Sequence, residues 1–464
     1  MIKFLASIIS GLLSGYYTYF NIGPQMSFIK LIMFSTAALV VILFIKRKLL
    51  LLKNILVLVV IFGLSFCFGV GYVNVYNQKD ITQSYFEGQV IVKDVTAGYE
   101  SSKVVLYSKE IDKNMLLTIF AYQNMTLVPG DILNISGKLE SDVVMYPQRN
   151  KGDWESFDYS NYLKIKDVSY ILKADKYEKA VSHETTMSRL SYRLRVLLLE
   201  NLKKVMPDES AGVVMATVLG DDRGLSKDIK DSFRDSGLSH VLVFSGFNFS
   251  VIIGAFSILL MSFSKRTRVA ASLLFSVFIF LLAPLSAPTA RAGAFVSYAL
   301  LAEMFNKAYS AKFIFYLFVL SYVLFDPLAA SYNASFHLSV LAVMAIIYGG
   351  EIIPSFTNNA IKSYLLMIFA IFIVTAPYIA YMFANVSLFS LFANAVALPI
   401  VSIITILGVV VMLVSAISET LGGIFAYVLN ILVNLLVGIS NVFAPYAINL
   451  KESGVSLSFI VFYY

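Results

Sequence analysis

Residues 396–417 read VALPIVSIITILGVVVMLVSAI, a run without one charged side chain. At about 1.5 Å of rise per residue, such a run matches the roughly 30 Å hydrocarbon core of a bilayer. Backbone amides in hydrocarbon must be satisfied within the segment, so the run is read as a membrane-spanning helix. Comparable apolar runs lie at 4–20, 28–45 and 49–74, then at 240–263, 269–286, 289–305, 312–330, 335–350, 363–384 and 421–445. The sequence therefore predicts a predominantly α-helical polytopic membrane protein of about eleven transmembrane helices.

Composition agrees. Of 464 residues, 58% are hydrophobic and only 14% charged, where soluble domains carry about 25% charged. Too few polar side chains are present to cover a water-facing fold of this size. The single cysteine, Cys67, lies in an apolar run and is read as a small buried residue; it permits neither an internal disulfide nor a cysteine metal cage. The N-terminal run carries bulky Tyr16, Tyr17, Tyr19 and Phe20 where a signal-peptide cleavage site would need small residues, which predicts an uncleaved first span.

The net charge of +7 is read as a topology signal, because lysine and arginine concentrate at cytoplasmic ends of spans. Lys46-Arg47-Lys48, then Lys265, Arg266 and Arg268, then Lys307 and Lys312 agree with one threading. It places the N-terminus in the cytoplasm and the polar stretch 77–180 outside.

That stretch reads as strands. Gln89 to Val92, Val104 to Tyr107, Leu116 to Phe120 and Ile132 to Ile135 are rich in β-branched, aromatic and aliphatic residues, with turns expected at Pro129-Gly130-Asp131 and Ser136-Gly137. Five or so short strands suit a small antiparallel barrel such as an OB fold, and a β-sandwich fits the same pattern. Between residues 185 and 206, Met187, Leu190, Leu194, Leu197 and Leu198 recur at helical spacing opposite Arg189, Arg193, Lys203 and Lys204. A basic amphipathic helix of this kind either lies in the lipid headgroup plane or packs on the external domain. The resulting domains are 1–76, N-terminal transmembrane helices; 77–180, an extracytoplasmic OB-like β domain; 181–236, amphipathic linker and helices; and 237–464, a second transmembrane domain.

Catalytic signatures are missing from the sequence. His183, His240 and His337 are far apart, no H-E-x-x-H cluster exists, and no G-x-x-x-x-G-K-[ST] loop is present. No catalytic residue, metal ligand or cofactor is assigned. The polar residues worth noting instead sit at the mouths of spans. Asp221 follows Leu219-Gly220, and His240, Ser245, Asn248 and Ser250 fall within Gly237 to Ser250. Polar groups at such depth cost several kcal/mol unless partners or water meet them, so they line a path or bind helices together. Arg291 is a lone base at the start of a span, placed for phosphate or for snorkelling to headgroups. His337 lies inside a span, and Asn394 to Pro399 punctuates another.

Four motifs in order resemble the ComEC competence-protein family of bacterial DNA-uptake proteins. They are Phe157-Asp-Tyr-x-x-Tyr-Leu163; Gly237-Leu-Ser-His240 with Ser245-Gly246; Asp326-Pro-Leu with Phe336-x-Leu-Ser339; and Asn385-Val-Ser-Leu-Phe-Ser-Leu-Phe-Ala-Asn394-Ala-Val-Ala-Leu-Pro399. The resemblance implies a bacterial inner-membrane channel importing single-stranded DNA. Its expected partners are membrane lipid, a membrane DNA receptor, a cytoplasmic DNA-translocating ATPase and a separate nuclease. Asp221, His240, Ser245, Asn248, Arg291, His337 and Asn394 become candidates for the substrate path. The sequence departs from relatives at Phe247-Asn248, where Leu-His is usual, and at His337, where glutamine is common; both favour hydrogen bonding over proton transfer. Many relatives continue into a metallo-β-lactamase-like domain; this sequence stops at Tyr464, so nuclease activity is not carried over. The apolar run beginning at Val455 reads as a tail against the bundle or as the start of a further span.

Charge complicates the DNA reading. Residues 84–175 hold ten Lys and Arg against thirteen Asp and Glu, net −3, while residues 176–206 hold seven against three, net +4. Non-specific binding of nucleic acid follows phosphate neutralisation. Arg189, Arg193, Lys203 and Lys204 are therefore the candidate DNA-phosphate contacts rather than the barrel. Tyr85, Tyr99 and Tyr122 are read as barrel core, with base stacking the alternative role. A non-transporting scaffold and a permease for another solute remain competing readings.

Overall fold

The computed structural model describes residues 85–449, except 98–100, 112, 121–126, 141–162, 164–167, 184–186, 223, 283–286, 306–309, 327–332, 384 and 388. The three N-terminal spans, Cys67, Tyr99, Tyr122, most of the Phe157–Leu163 motif and the tail from Val455 lie outside the described residues.

Five strands form a closed barrel in the order β1-β2-β3-β5-β4: β1 (Tyr85–Ala97), β2 (Ser101–Ser108), β3 (Lys113–Phe120), β4 (Asp131–Glu140) and β5 (Tyr170–His183). All pairings are antiparallel except β3 with β5. Closure removes exposed sheet edges, and the alternation of β4 sends Leu133, Ile135 and Leu139 inward onto Phe86, Val90, Leu106, Met115 and Leu172. Pro129-Gly130-Asp131 is the expected turn: Gly130 adopts φ 91° and its N–H donates to Val92 at 2.7 Å. Ser136-Gly137 is not a turn. It lies within β4 at a register shift against β5, where a Cβ on Gly137 would strike the Lys173 carbonyl. The missing side chain lets two backbones approach so that the barrel closes. Tyr85, expected inside, is 47% exposed, and its hydroxyl donates to Asp175 at 3.2 Å.

Eleven α-helices follow among the described residues: α1 (Met187–Val205), α2 (Asp208–Leu219), α3 (Lys227–Asp235), α4 (Gly246–Leu259), α5 (Lys265–Leu282), α6 (Ala287–Met304), α7 (Ala311–Phe325), α8 (Ala334–Ile352), α9 (Ala360–Phe383), α10 (Ser390–Ser415) and α11 (Glu419–Phe443). Each apolar run expected between residues 240 and 445 contains a helix. Four are long and apolar enough to cross a membrane, within 334–355, 360–383, 390–415 and 419–446. Helices α4 and α7, at 14 and 15 residues, are shorter than the spans expected there. Large apolar side chains face outward along the bundle, among them Leu259, Leu274, Phe325, Ile417 and Tyr427, each at least 70% exposed. Lipid is the solvent that such a surface needs.

The chain divides into two compact units. One contains Ser310–Val340; there Asn333 caps α8 by accepting from the N–H groups of Ser335 and Phe336, and Tyr322 stacks on Phe336 at 4.3 Å. The other contains the barrel, α1 to α6 and the residues from Leu341 onward. Its centre is α2, in which Ser210 to Leu219 are all buried. A helix apolar on every side belongs in a core. It packs on α10 at Gly408, whose absent Cβ would lie 2.9 Å from both Val214 and Val218. Antiparallel α10 and α11 pack on each other, where a Cβ on Gly422 would lie 2.8 Å from Ser415; the buried residues of the pair include Ala393, Ala397, Val401 and Val411 on α10 and Ala426, Leu429, Val433 and Leu436 on α11. Small residues at such a seam allow the backbone approach that dispersion requires in lipid.

Candidate functional site

The Leu219–Ser250 stretch folds into three short elements around the C-terminal end of α2. Gly220, at φ 69°, ends that helix. Helix α3 starts on Ser226, whose hydroxyl accepts from the Ile229 N–H, and closes with paired bonds from Gly237 N–H to Arg234 and from Leu238 N–H to Phe233. That pattern needs a left-handed residue at Gly237, and φ there is 78°. Gly237 also abuts the start of α10: a Cβ would lie 2.5 Å from that of Ser390. A 3-10 turn, Ser239–Val241, then leads to α4.

Polar side chains collect along this path. Asn248 is fully buried; its amide donates to the Thr217 carbonyl of α2 at 2.9 Å, while its Oδ1 has no partner. Ser245 is the N-cap of α4, accepting from the Asn248 N–H at 3.2 Å. Its role is local: it satisfies a helix-end donor. Ser250 bonds back to Gly246. Asp221 is buried beside the α2 terminus, and the next carboxylate, Asp222, pairs with Lys230 at 2.7 Å. His240 is exposed on its 3-10 turn. Asn394 donates to the Ser390 carbonyl at 2.8 Å, one turn along α10 from the residue Gly237 touches.

Asp221 thus follows the end of α2, His240 and Ser245 lie on the α3–α4 connection, Asn248 in the first turn of α4 and Asn394 near the start of α10. Arg291 stands in the first turns of α6, which packs on α4; it is half-buried, and its Nη1 is enclosed without a partner. His337 belongs to the other compact unit, in the first turn of α8. Single-residue reasoning overlooked a hydroxyl string between α3 and α11: Ser232 Oγ lies 2.8 Å from Ser440 Oγ and donates to Asn441 at 2.6 Å, and Ser236 lies 3.2 Å from Ser440. Serines are too common to stand out until two helices bring them face to face.

The four basic residues proposed for phosphate have different surroundings. Arg189 lies 3.2 Å from Asp131, Lys203 lies 3.6 Å from Asp208, and Lys204 lies 3.6 Å from Glu419. Arg193 is exposed. Asp131 is 2% exposed and also holds Lys179 at 2.7 Å and the Val128 N–H at 2.8 Å. Burial pushes its carboxyl up, but the Lys179, Val128 and Arg189 contacts outweigh that and hold it below the usual carboxylate range.

Asp221, His240, Ser245, Asn248, Ser250 and Asn394 offer amides, hydroxyls, one imidazole and one carboxylate, a set suited to hydrogen bonding, and the Asn248 and Asn394 amides already donate to backbone carbonyls of the protein. Among the described residues, no three His, Cys, Asp or Glu side chains converge as a metal site would require. Residues 217–464, a little over half of the chain, match a family described as Competence protein. No curated protein and no solved structure matches the chain.

Proposed function

Because this chain belongs to the ComEC competence-protein family, whose role is in DNA uptake, we propose that it is a membrane channel importing single-stranded DNA during natural transformation. The observation carrying this reading is the extent of the family match, which begins at Thr217 and takes in Asn248, Arg291, Asn394 and the α10–α11 pair. The polar residues near the end of α2, with Ser245, His240 and Asn394, are the candidates to brace or line the strand's path. The chain spans the bacterial plasma membrane several times in this reading and does no chemistry itself. A separate cytoplasmic ATPase supplies work, a membrane receptor delivers DNA, and a separate nuclease removes the other strand. The strand order of the barrel supports an OB-type module.

Deleting the gene in a transformable host tests the reading. Labelled DNA is expected to bind the cell surface yet fail to reach the cytoplasm; unchanged entry would overturn it. A second reading, a scaffold that transports nothing unaided, is favoured by the ion pairs that engage Arg189, Lys203 and Lys204. Purified protein in liposomes, offered oligonucleotides and small anions, separates these readings and the small-solute permease.

A further inference from the structure

Helix α1 is tied at both ends. Near its start, Arg189 pairs with Asp131 of β4. At its end, Lys204 lies 3.6 Å from Glu419, the first residue of α11, and Leu202 is fully buried in the bundle core. Glu419 opens one of the helices able to span, Glu419–Tyr446, so it stands at the membrane boundary. Helix α1 cannot itself cross. Its 19 residues include Arg189, Arg193, Arg195, Glu200, Lys203 and Lys204, and a charge at the bilayer centre costs at least about 2.5 kcal/mol. Its Lys204 end therefore stands at the level of Glu419, and the rest of the helix stays on that side of the bilayer.

Its outward arc has a particular chemistry. Leu190 and Leu197 are 52% and 51% exposed, and Arg193 lies on the same exposed arc. Two leucines with an arginine between them suit the boundary between acyl chains and headgroups, where apolar tips are covered and a guanidinium meets phosphate.

We propose that α1 lies in the headgroup layer of an anionic bilayer, with Leu190 and Leu197 at the acyl boundary and Arg193 on lipid phosphate, so that the barrel occupies the same membrane face as the turn between α10 and α11. Simple alternation places them on opposite faces, because seven of the intervening helices, α4 to α10, coincide with apolar runs read as spans. One face for both requires an even number of crossings. Helix α7 is the candidate not to cross: its 15 residues extend about 22 Å against a core of about 30 Å, and omitting that crossing keeps Lys265, Arg266, Arg268, Lys307 and Lys312 on the cytoplasmic face. The inference rests on the membrane reading and is independent of what the channel carries.

In the full chain bearing Cys67→Ser, single cysteines are introduced as Lys138→Cys on the barrel and Ile417→Cys in the α10–α11 turn. A membrane-impermeant maleimide is then applied to right-side-out and inverted vesicles. Both sites are expected to label in the same vesicle type; labelling in opposite types overturns the shared face. A nitroxide at Leu197→Cys, in phosphatidylglycerol nanodiscs, is expected to collide more with oxygen than with a water-soluble nickel complex. Greater nickel access overturns the headgroup placement. Arg193→Gln is expected to weaken the preference for phosphatidylglycerol over phosphatidylcholine vesicles. An unchanged lipid preference with lost binding of a single-stranded oligonucleotide would assign Arg193 to nucleic acid instead.

Discussion

At the residue scale, two positions show backbone geometry deciding side-chain identity. Gly237 combines a left-handed φ of 78° with a Cβ position 2.5 Å from that of Ser390. Gly237→Ala is expected to cost about 1–3 kcal/mol, the range for a strained backbone site, read as a lower melting temperature in detergent. Adding Ser390→Gly should recover the steric part and leave the conformational part. Within α10, Pro399 has no N–H to offer the Ala395 carbonyl, and the Tyr364 hydroxyl of α9 donates to that carbonyl at 3.0 Å. Tyr364→Phe should cost about 1 kcal/mol. In a Pro399→Ala background the backbone supplies the missing donor, so the same change should cost less; equal costs in a double-mutant cycle would refute the link.

At the scale of elements, glycines divide by what they face. Gly408 meets Val214 and Val218 of α2, whereas nothing lies within 4 Å of a Cβ at Gly438 on α11. Gly408→Leu is therefore expected to abolish monodisperse folded protein on gel filtration, and Gly438→Leu to leave it intact. In the barrel, Asp131 has a folded pKa below its ordinary value, and the sign follows. Its stabilisation is fully present above the unfolded value of about 3.9 and is lost as pH falls through the folded value. Barrel unfolding should thus be insensitive to this group from pH 7 to 5 and respond to it only in stronger acid. Asp131→Asn should remove that acid-range dependence while lowering stability near neutrality. Element identity was largely legible beforehand: uncharged runs of this length have no stable state in lipid other than a helix, and the strand-rich insert was recognised from β-branched clusters. Gly137 was misplaced as a turn because a glycine at a bulge and a glycine at a turn look alike until the partner strand is known.

At the scale of the whole molecule, two ion pairs link parts that have separate cores, Asp131–Arg189 toward the barrel and Lys204–Glu419 toward the bundle. Combining Asp131→Asn with Lys204→Gln is expected to speed limited proteolysis at α1 while leaving β-sheet circular dichroism largely unchanged. Family membership and the pattern of helices could be drawn from the linear order of motifs and hydropathy, because lipid imposes its demand on every segment independently. The polar cluster could be drawn only in part. Asp221, His240, Ser245 and Asn248 stand close in sequence, but that Ser245 caps α4 and Asn248 reaches Thr217 depends on which helix ends meet. The same holds for the basic face of α1. Amphipathic periodicity identifies the helix, yet whether a lysine meets phosphate, lipid or a glutamate 215 residues later depends on packing between distant segments, which no local pattern encodes.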